Sequence, residues 1–233
     1  MAVSNSLTTQ TKDKMEVQYK ANGEEVKLTP SMVKRYLVSG DAGSVTDQEV
    51  MMFITLCKYQ HLNPFLREAY LVKYGSSPAT IVTGKDTFTK RAERNPKYKG
   101  KAAGIIIQTK DGKLEYRDGT LHLNGETIVG GWAKIYIEGR EPEMNTVSFE
   151  EYAGRKKDGS LNSQWASKPA TMIRKVAVVQ ALREAFPEDF GGLYSPEEVS
   201  DASEVIPEQE TPIEVPSEVV SVETKSASDT LFE

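Results

Sequence analysis

Arg174, Lys175 and Arg183 stand in a stretch whose other residues, among them Met172, Ile173, Val176, Ala177, Val178, Val179, Ala181 and Leu182, point in every direction around a helical turn. A helix that is apolar all round is normally a buried one. None of the three cations has an Asp or Glu three or four residues away, so no pair along the helix neutralises them. They call for something negative to face. It is either a carboxylate brought from elsewhere in the fold or the phosphates of a bound polyanion.

Two wider basic groups surround this question. The first is Lys85, Lys90, Arg91, Arg94, Lys97, Lys99 and Lys101, set against Asp86 and Glu93. The second is Arg155, Lys156, Lys157 and Lys168 together with the three helix cations, set against Asp158. A single basic run is usually a solvated face. Two runs, with Phe88, Tyr98, Tyr152 and Trp165 among them, point to nucleic acid, because cations neutralise phosphates and aromatic rings stack on unpaired bases. Each ring also has a core reading, and for Phe88 and Trp165 that reading is favoured. Neither zinc-finger spacing nor a helix-turn-helix is present, so nothing specifies sequence readout of a duplex.

Other chemistries find little support. His61, His122 and Cys57 are the only residues of their types and have no zinc-site spacing. No Ser/His/Asp or Cys/His arrangement supports a nucleophile, and no paired carboxylates with a lysine support metal-dependent cleavage. The segment GSSPATIVTGKD invites comparison with a P-loop, but Gly75 lies too far from Gly84-Lys85, and Asp86 stands where a magnesium-binding Ser or Thr belongs. The residues thus call for no enzyme and no nucleotide cofactor; a role for magnesium stays open.

Charge divides the chain. Residues 197–233 carry eleven acidic residues and one lysine, a net of −10, which leaves residues 1–196 at +5. A basic body with an acidic tail fits a polyanion-binding surface beside a solvating or interacting segment. The start lacks the apolar core of a signal peptide, no run is long enough to span a membrane, and a single cysteine fits a reducing compartment, so the expected location is the cytoplasm.

The positioning elements read as an α+β order with an antiparallel, hairpin-rich sheet packed with helices. Residues 1–27 show no sustained period and are expected to be a poorly ordered N-terminal arm. Residues 28–196 form the core domain, and residues 197–233 a disordered acidic tail. Thr29 and Pro30 open a helix; Thr46 and Glu49 have capping-box spacing at a second, which Asn63-Pro64 ends. Strands around 68–74 and 79–83 make a hairpin. A helix follows to Asn95-Pro96, then strands around 102–109, 114–123, 127–138 and 144–149, with Asn124-Gly125 suited to a type I′ turn. A short helix near 148–154 and a Gly/Lys-rich loop lead into the long helix, read as one from Trp165 to Pro187.

That last stretch, WASKPATMIRKVAVVQALREAFPEDFGGLYSPEE, resembles the C-terminal core signature of the RecT/Bet family of phage annealing proteins through Trp165, Pro169, Met172, Lys175, Ala181-Leu182-Arg183, Phe186-Pro187, Gly192, Tyr194 and Glu197. LNPFLREAYLVKY and VTGKDTFTKRAERNPKYKG resemble the family's earlier blocks, so the likeness covers residues 30–198. It implies an ATP-independent protein that binds single-stranded DNA in a basic groove and pairs it with a complement during phage homologous recombination. It also implies assembly into rings or helical filaments, a partner exonuclease, and a host single-strand-binding protein as a further partner. On this reading DNA is held by Lys85, Lys90, Arg91, Arg94, Lys97, Lys101, Lys156, Lys157, Arg174, Lys175 and Arg183. The alternative is a single-strand-binding protein that protects DNA without annealing it.

Overall fold

The computed structural model describes residues 15–199, apart from the Lys85 side chain. In the first segment Val17, Tyr19 and Ala21 alternate with polar residues, as do Val26 and Leu28 across Asn22-Gly23. They form an antiparallel hairpin of β1 (Val17–Ala21) and β2 (Glu24–Leu28). Asn22 and Gly23 take φ of 56° and 88°, the two left-handed positions a type I′ turn requires. The expectation of a poorly ordered arm over 1–27 is therefore corrected for residues 17–27. Their period of two puts Tyr19, Ala21, Val26 and Leu28 in the core. Residues 1–14, and most of the expected acidic tail, lie outside the described residues.

Thr29 caps α1 (Pro30–Met32) by accepting the Met32 amide, and the chain widens into a π turn over Val33–Leu37 before β3 (Val38–Gly40). The Thr46–Glu49 capping box opens α2 (Asp47–Tyr59). β3 runs parallel to β4 (Ala69–Lys73), which pairs antiparallel with β5 (Thr80–Thr83). The β4–β5 hairpin falls where it was expected; the parallel third strand is an addition. Glu49 holds this region to α2, accepting from the Lys73 ammonium at 2.7 Å and from the Ala79 amide at 2.6 Å. With the Thr46 amide, these donors hold its carboxyl at about 2. Cys57 is fully buried on α2, against β1, and burial pushes its thiol well above the ordinary range.

After α3 (Lys85–Arg94) come β6 (Tyr98–Gln108), β7 (Leu114–Asp118), β8 (Thr127–Ile137) and β9 (Glu143–Ser148), an antiparallel sheet in the order β7-β6-β8-β9. β8 thus pairs with β6 and not with β7, so the expected Asn124-Gly125 hairpin turn does not form. Gly125 does take φ of 87°, but within a longer connection.

The last elements are α4 (Phe149–Tyr152), α5 (Ser163–Ser167), α6 (Pro169–Ala185) and α7 (Pro187–Phe190). The expected single helix is two, because Pro169 disfavours helical backbone at Lys168, which takes φ of −137° and ψ of 50°. α6 lies across β8, β9 and β6. Ala133 and Ile135 of β8 and Ile105 and Ile107 of β6 are all fully buried in this core with Ile173, Ala177 and Ala181 of α6. Gly131 permits the approach: a Cβ there would meet the Ile173 carbonyl oxygen at 2.6 Å. On its other sides α6 meets α3, α5, α7 and the turn at Pro196–Glu198, which explains its apolar circumference. Trp165 of α5 is fully buried edge-on to Phe149, and Phe88 stacks on Phe190, so both rings take their core reading.

Candidate nucleic-acid interface

The cations of α6 divide into two kinds. Lys175 and Arg183 meet carboxylates that no inspection of the helix alone would supply. The Lys175 ammonium lies 2.9 Å from Glu197, and Arg183 donates to both oxygens of Glu198 at 2.9 Å and to the Leu193 carbonyl. Tyr194 covers the Arg183 guanidinium, its ring centre 4.7 Å away. Of the two readings open for these cations, the fold supplies the distant carboxylate: the partners stand 22 and 15 residues along the chain. Glu197 and Glu198, which were expected to open a disordered tail, belong to the core instead.

Arg174 is the other kind. Its Nε donates to the Ala103 carbonyl of β6 at 3.2 Å, which fixes the stem, and among the described residues no carboxylate meets its guanidinium. Half-buried beside β6, it is a cation held rigidly with its terminal nitrogens available.

The first basic run divides in the same way. Arg91 ties α3 to the fold, donating to the Gln60 side chain at 2.8 Å, to the Gln60 carbonyl, and to the Asp189 carbonyl at 2.7 Å. Burial lowers its pKa from the ordinary value. Arg94 reaches back to Asn22 Oδ1 of the first hairpin, and Lys99 pairs with Glu138 at 3.1 Å across an exposed surface. Lys90 and Lys97 are exposed and Lys101 half-buried, and among the described residues none of the three has a carboxylate partner. Lys85 begins α3, behind the Gly84 N-cap. Gly75 sits in the β4–β5 connection and Gly84 beyond β5, so a whole strand separates the two glycines of the failed P-loop comparison.

In the loop between α4 and α5, Arg155 pairs with Glu150 at 2.8 Å, while Lys156 and Lys157 are exposed and Asp158 lies near Lys156. Lys97 and Lys101 are carried by β6 or its approach and Arg174 is bonded to that strand, so three cations that meet no carboxylate among the described residues share one strand of the sheet–helix layer. Such a layer can hold a phosphate backbone without contacting base edges.

The chain matches the RecT family over residues 23–212. It belongs to the RecT family. A 144-residue stretch is also 29% identical to an uncharacterized protein of Ureaplasma parvum serovar 3; it covers 61% of this chain and 56% of that relative, so the chain spans little more than half the relative's length. Among the described residues of this RecT-family chain, no helix is long and apolar enough to cross a membrane.

One group escaped sequence reasoning. β8 turns Ala133 and Ile135 toward α6, so Trp132, Lys134 and Tyr136 face the other way. They share that face with Tyr116 of β7 and Met144 of β9; Tyr116 packs against Trp132 with ring centres 6.4 Å apart, and the Lys134 ammonium lies 5.9 Å from the centre of the Tyr136 ring. The signal lies in the alternation of the sequence GWAKIYI, which marks a strand with two different faces.

Proposed function

We propose that this RecT-family chain binds single-stranded DNA along the basic side chains carried by β6 and α6 and anneals it to a complementary strand without ATP, in phage homologous recombination. The observation that carries this reading is the family match over residues 23–212. The unpaired cations support it. Two single strands repel through their phosphates, and a surface holding Arg174, Lys101, Lys97 and Lys90 removes that repulsion while leaving base edges to test a second strand. Lys85, Lys156 and Lys157 extend the same role. Specificity then comes from base pairing. A protomer covers too few nucleotides for a stable match, so protomers act together in a ring or helical filament that sums weak contacts. The single strands come from a partner exonuclease, and a host single-strand-binding protein is the protein they are handed over from. Annealing proteins of this family are generally not catalytic enzymes, and we assign no turnover chemistry and no nucleotide to this one.

The test uses labelled complementary oligonucleotides with purified protein and no nucleotide. Duplex formation faster than the spontaneous rate is expected. Strands held apart would indicate a protective binding protein, cutting would indicate a nuclease, and a strict ATP requirement would overturn the mechanism.

A further inference from the structure

We propose that Lys175 and Arg183 form a second contact site for the phosphodiester backbone, held closed in the DNA-free chain by the strap Leu193–Val199, whose Glu197 and Glu198 carboxylates stand where phosphates would sit. The inference rests on the single-strand-binding reading above.

The two cations project from one helix backed by a sheet, eight residues or about 12 Å apart along its axis, far enough to take separate phosphates. The strap seals them through both carboxylates, and two other contacts hold it to the fold: the Thr83 amide of β5 donates to the Tyr194 carbonyl at 2.7 Å, and Val199 packs on Tyr70, Val72 and Val82; within the strap, Glu198 accepts from the Ser195 amide at 2.8 Å. The fit is incomplete. Glu197 is 7% exposed, yet its Oε2 has no partner, and the buried Nε of Arg183 has none either. The Lys175–Glu197 pair leaves a carboxylate oxygen unmet and the Arg183–Glu198 pair leaves an N–H unmet, so another anion that satisfies these groups can replace the carboxylates at small cost.

A phosphate is the better fit to what is left unmet. Its oxygens accept a forked pair of N–H groups, so Arg183 could donate through Nε as well as Nη2. Tyr194, half exposed over the same guanidinium, then lies beside the backbone where an unpaired base can stack. Two cations on one helix together call for a ligand that presents phosphates in a row, and an isolated anion does not suffice.

The experiment uses the full chain and oligo-dT at low salt. Hydrogen exchange is followed at the amides of Thr83, Ser195 and Glu198 with and without the oligonucleotide, and the Glu197→Gln/Glu198→Gln variant is compared with the parent for affinity. A closed site predicts faster exchange at these amides when DNA binds, and binding by the variant that is tighter by about fivefold, the scale of one ion pair released. Unchanged or slower strap exchange in the DNA complex overturns the proposal, as does a folded variant that binds no more tightly than the parent. If the variant does not fold, exchange in the parent chain decides alone. Failure of the parent chain to bind oligo-dT would instead sink the proposed function.

Discussion

Arg174→Ala tests binding apart from stability, because little of the fold hangs on this side chain. The Ala103 carbonyl that Arg174 engages also accepts the Gly119 amide at 3.0 Å, so deleting the side chain orphans no buried acceptor. The cost to folding is then one hydrogen bond to a neutral group, about 1 kcal/mol. The cost to binding is larger. A charge-assisted contact to a phosphate is worth roughly 1.5–3 kcal/mol, so affinity for oligo-dT should fall about tenfold or more. Loss of one neutralised phosphate on a single strand should also flatten the plot of log affinity against log salt by about 0.7. Over a fourfold rise in salt the variant would lose roughly 2.6-fold less affinity than the parent. Arg174→Lys should recover only part, because one ammonium cannot satisfy the Ala103 carbonyl and a phosphate as a guanidinium does. Fluorescence anisotropy across a salt series, with a thermal melt of each variant, reads both quantities. A folded Arg174→Ala with the parent's slope would remove this residue from the DNA path.

Three further outcomes follow from the same geometry. Glu49→Gln should lower stability at neutral pH, since the carboxyl sits at about 2 instead of the usual 4.5. That contribution is present above about pH 4.5 and vanishes as pH falls toward 2, so acid melts of parent and variant should converge there. Ending the chain at Pro196 removes the partners of Lys175 and Arg183 and should cost about 1.5–3 kcal/mol, a Tm drop of roughly 5 °C, whereas ending it at Val199 should leave the melt unchanged. Lys99→Ala, which breaks an exposed pair with Glu138, should move the melt by less than about 0.5 kcal/mol.

The legible parts of the fold were those written in local rules. Thr29 and Thr46 announce their helices because a cap needs only three residues, and the β4–β5 hairpin follows from two β-rich runs and a turn. β3 could not be read that way: three residues beside a parallel partner 33 positions away leave no periodic trace. The two Asn-Gly pairs teach a related point. Asn22-Gly23 makes the type I′ turn because the residues flanking it alternate and pair with each other, whereas the strands flanking Asn124-Gly125 each choose β6 instead. The site was half legible for a physical reason too. Charge along a helix shows which cations lack a neighbour at helical spacing, as for Arg174, but whether Glu197 and Glu198 fold back onto Lys175 and Arg183 depends on tertiary structure alone.

The burial of Cys57 gives the chain an internal clock. It is the only thiol among 233 residues, and it sits on α2 beneath the first hairpin, out of reach of any reagent in solution. A thiol-reactive dye can label only those molecules in which that hairpin has momentarily lifted. Its labelling rate therefore measures how often this lobe breathes. Added DNA, or a neighbouring protomer that clamps the lobe, would register as a slower rate in an otherwise unmodified protein.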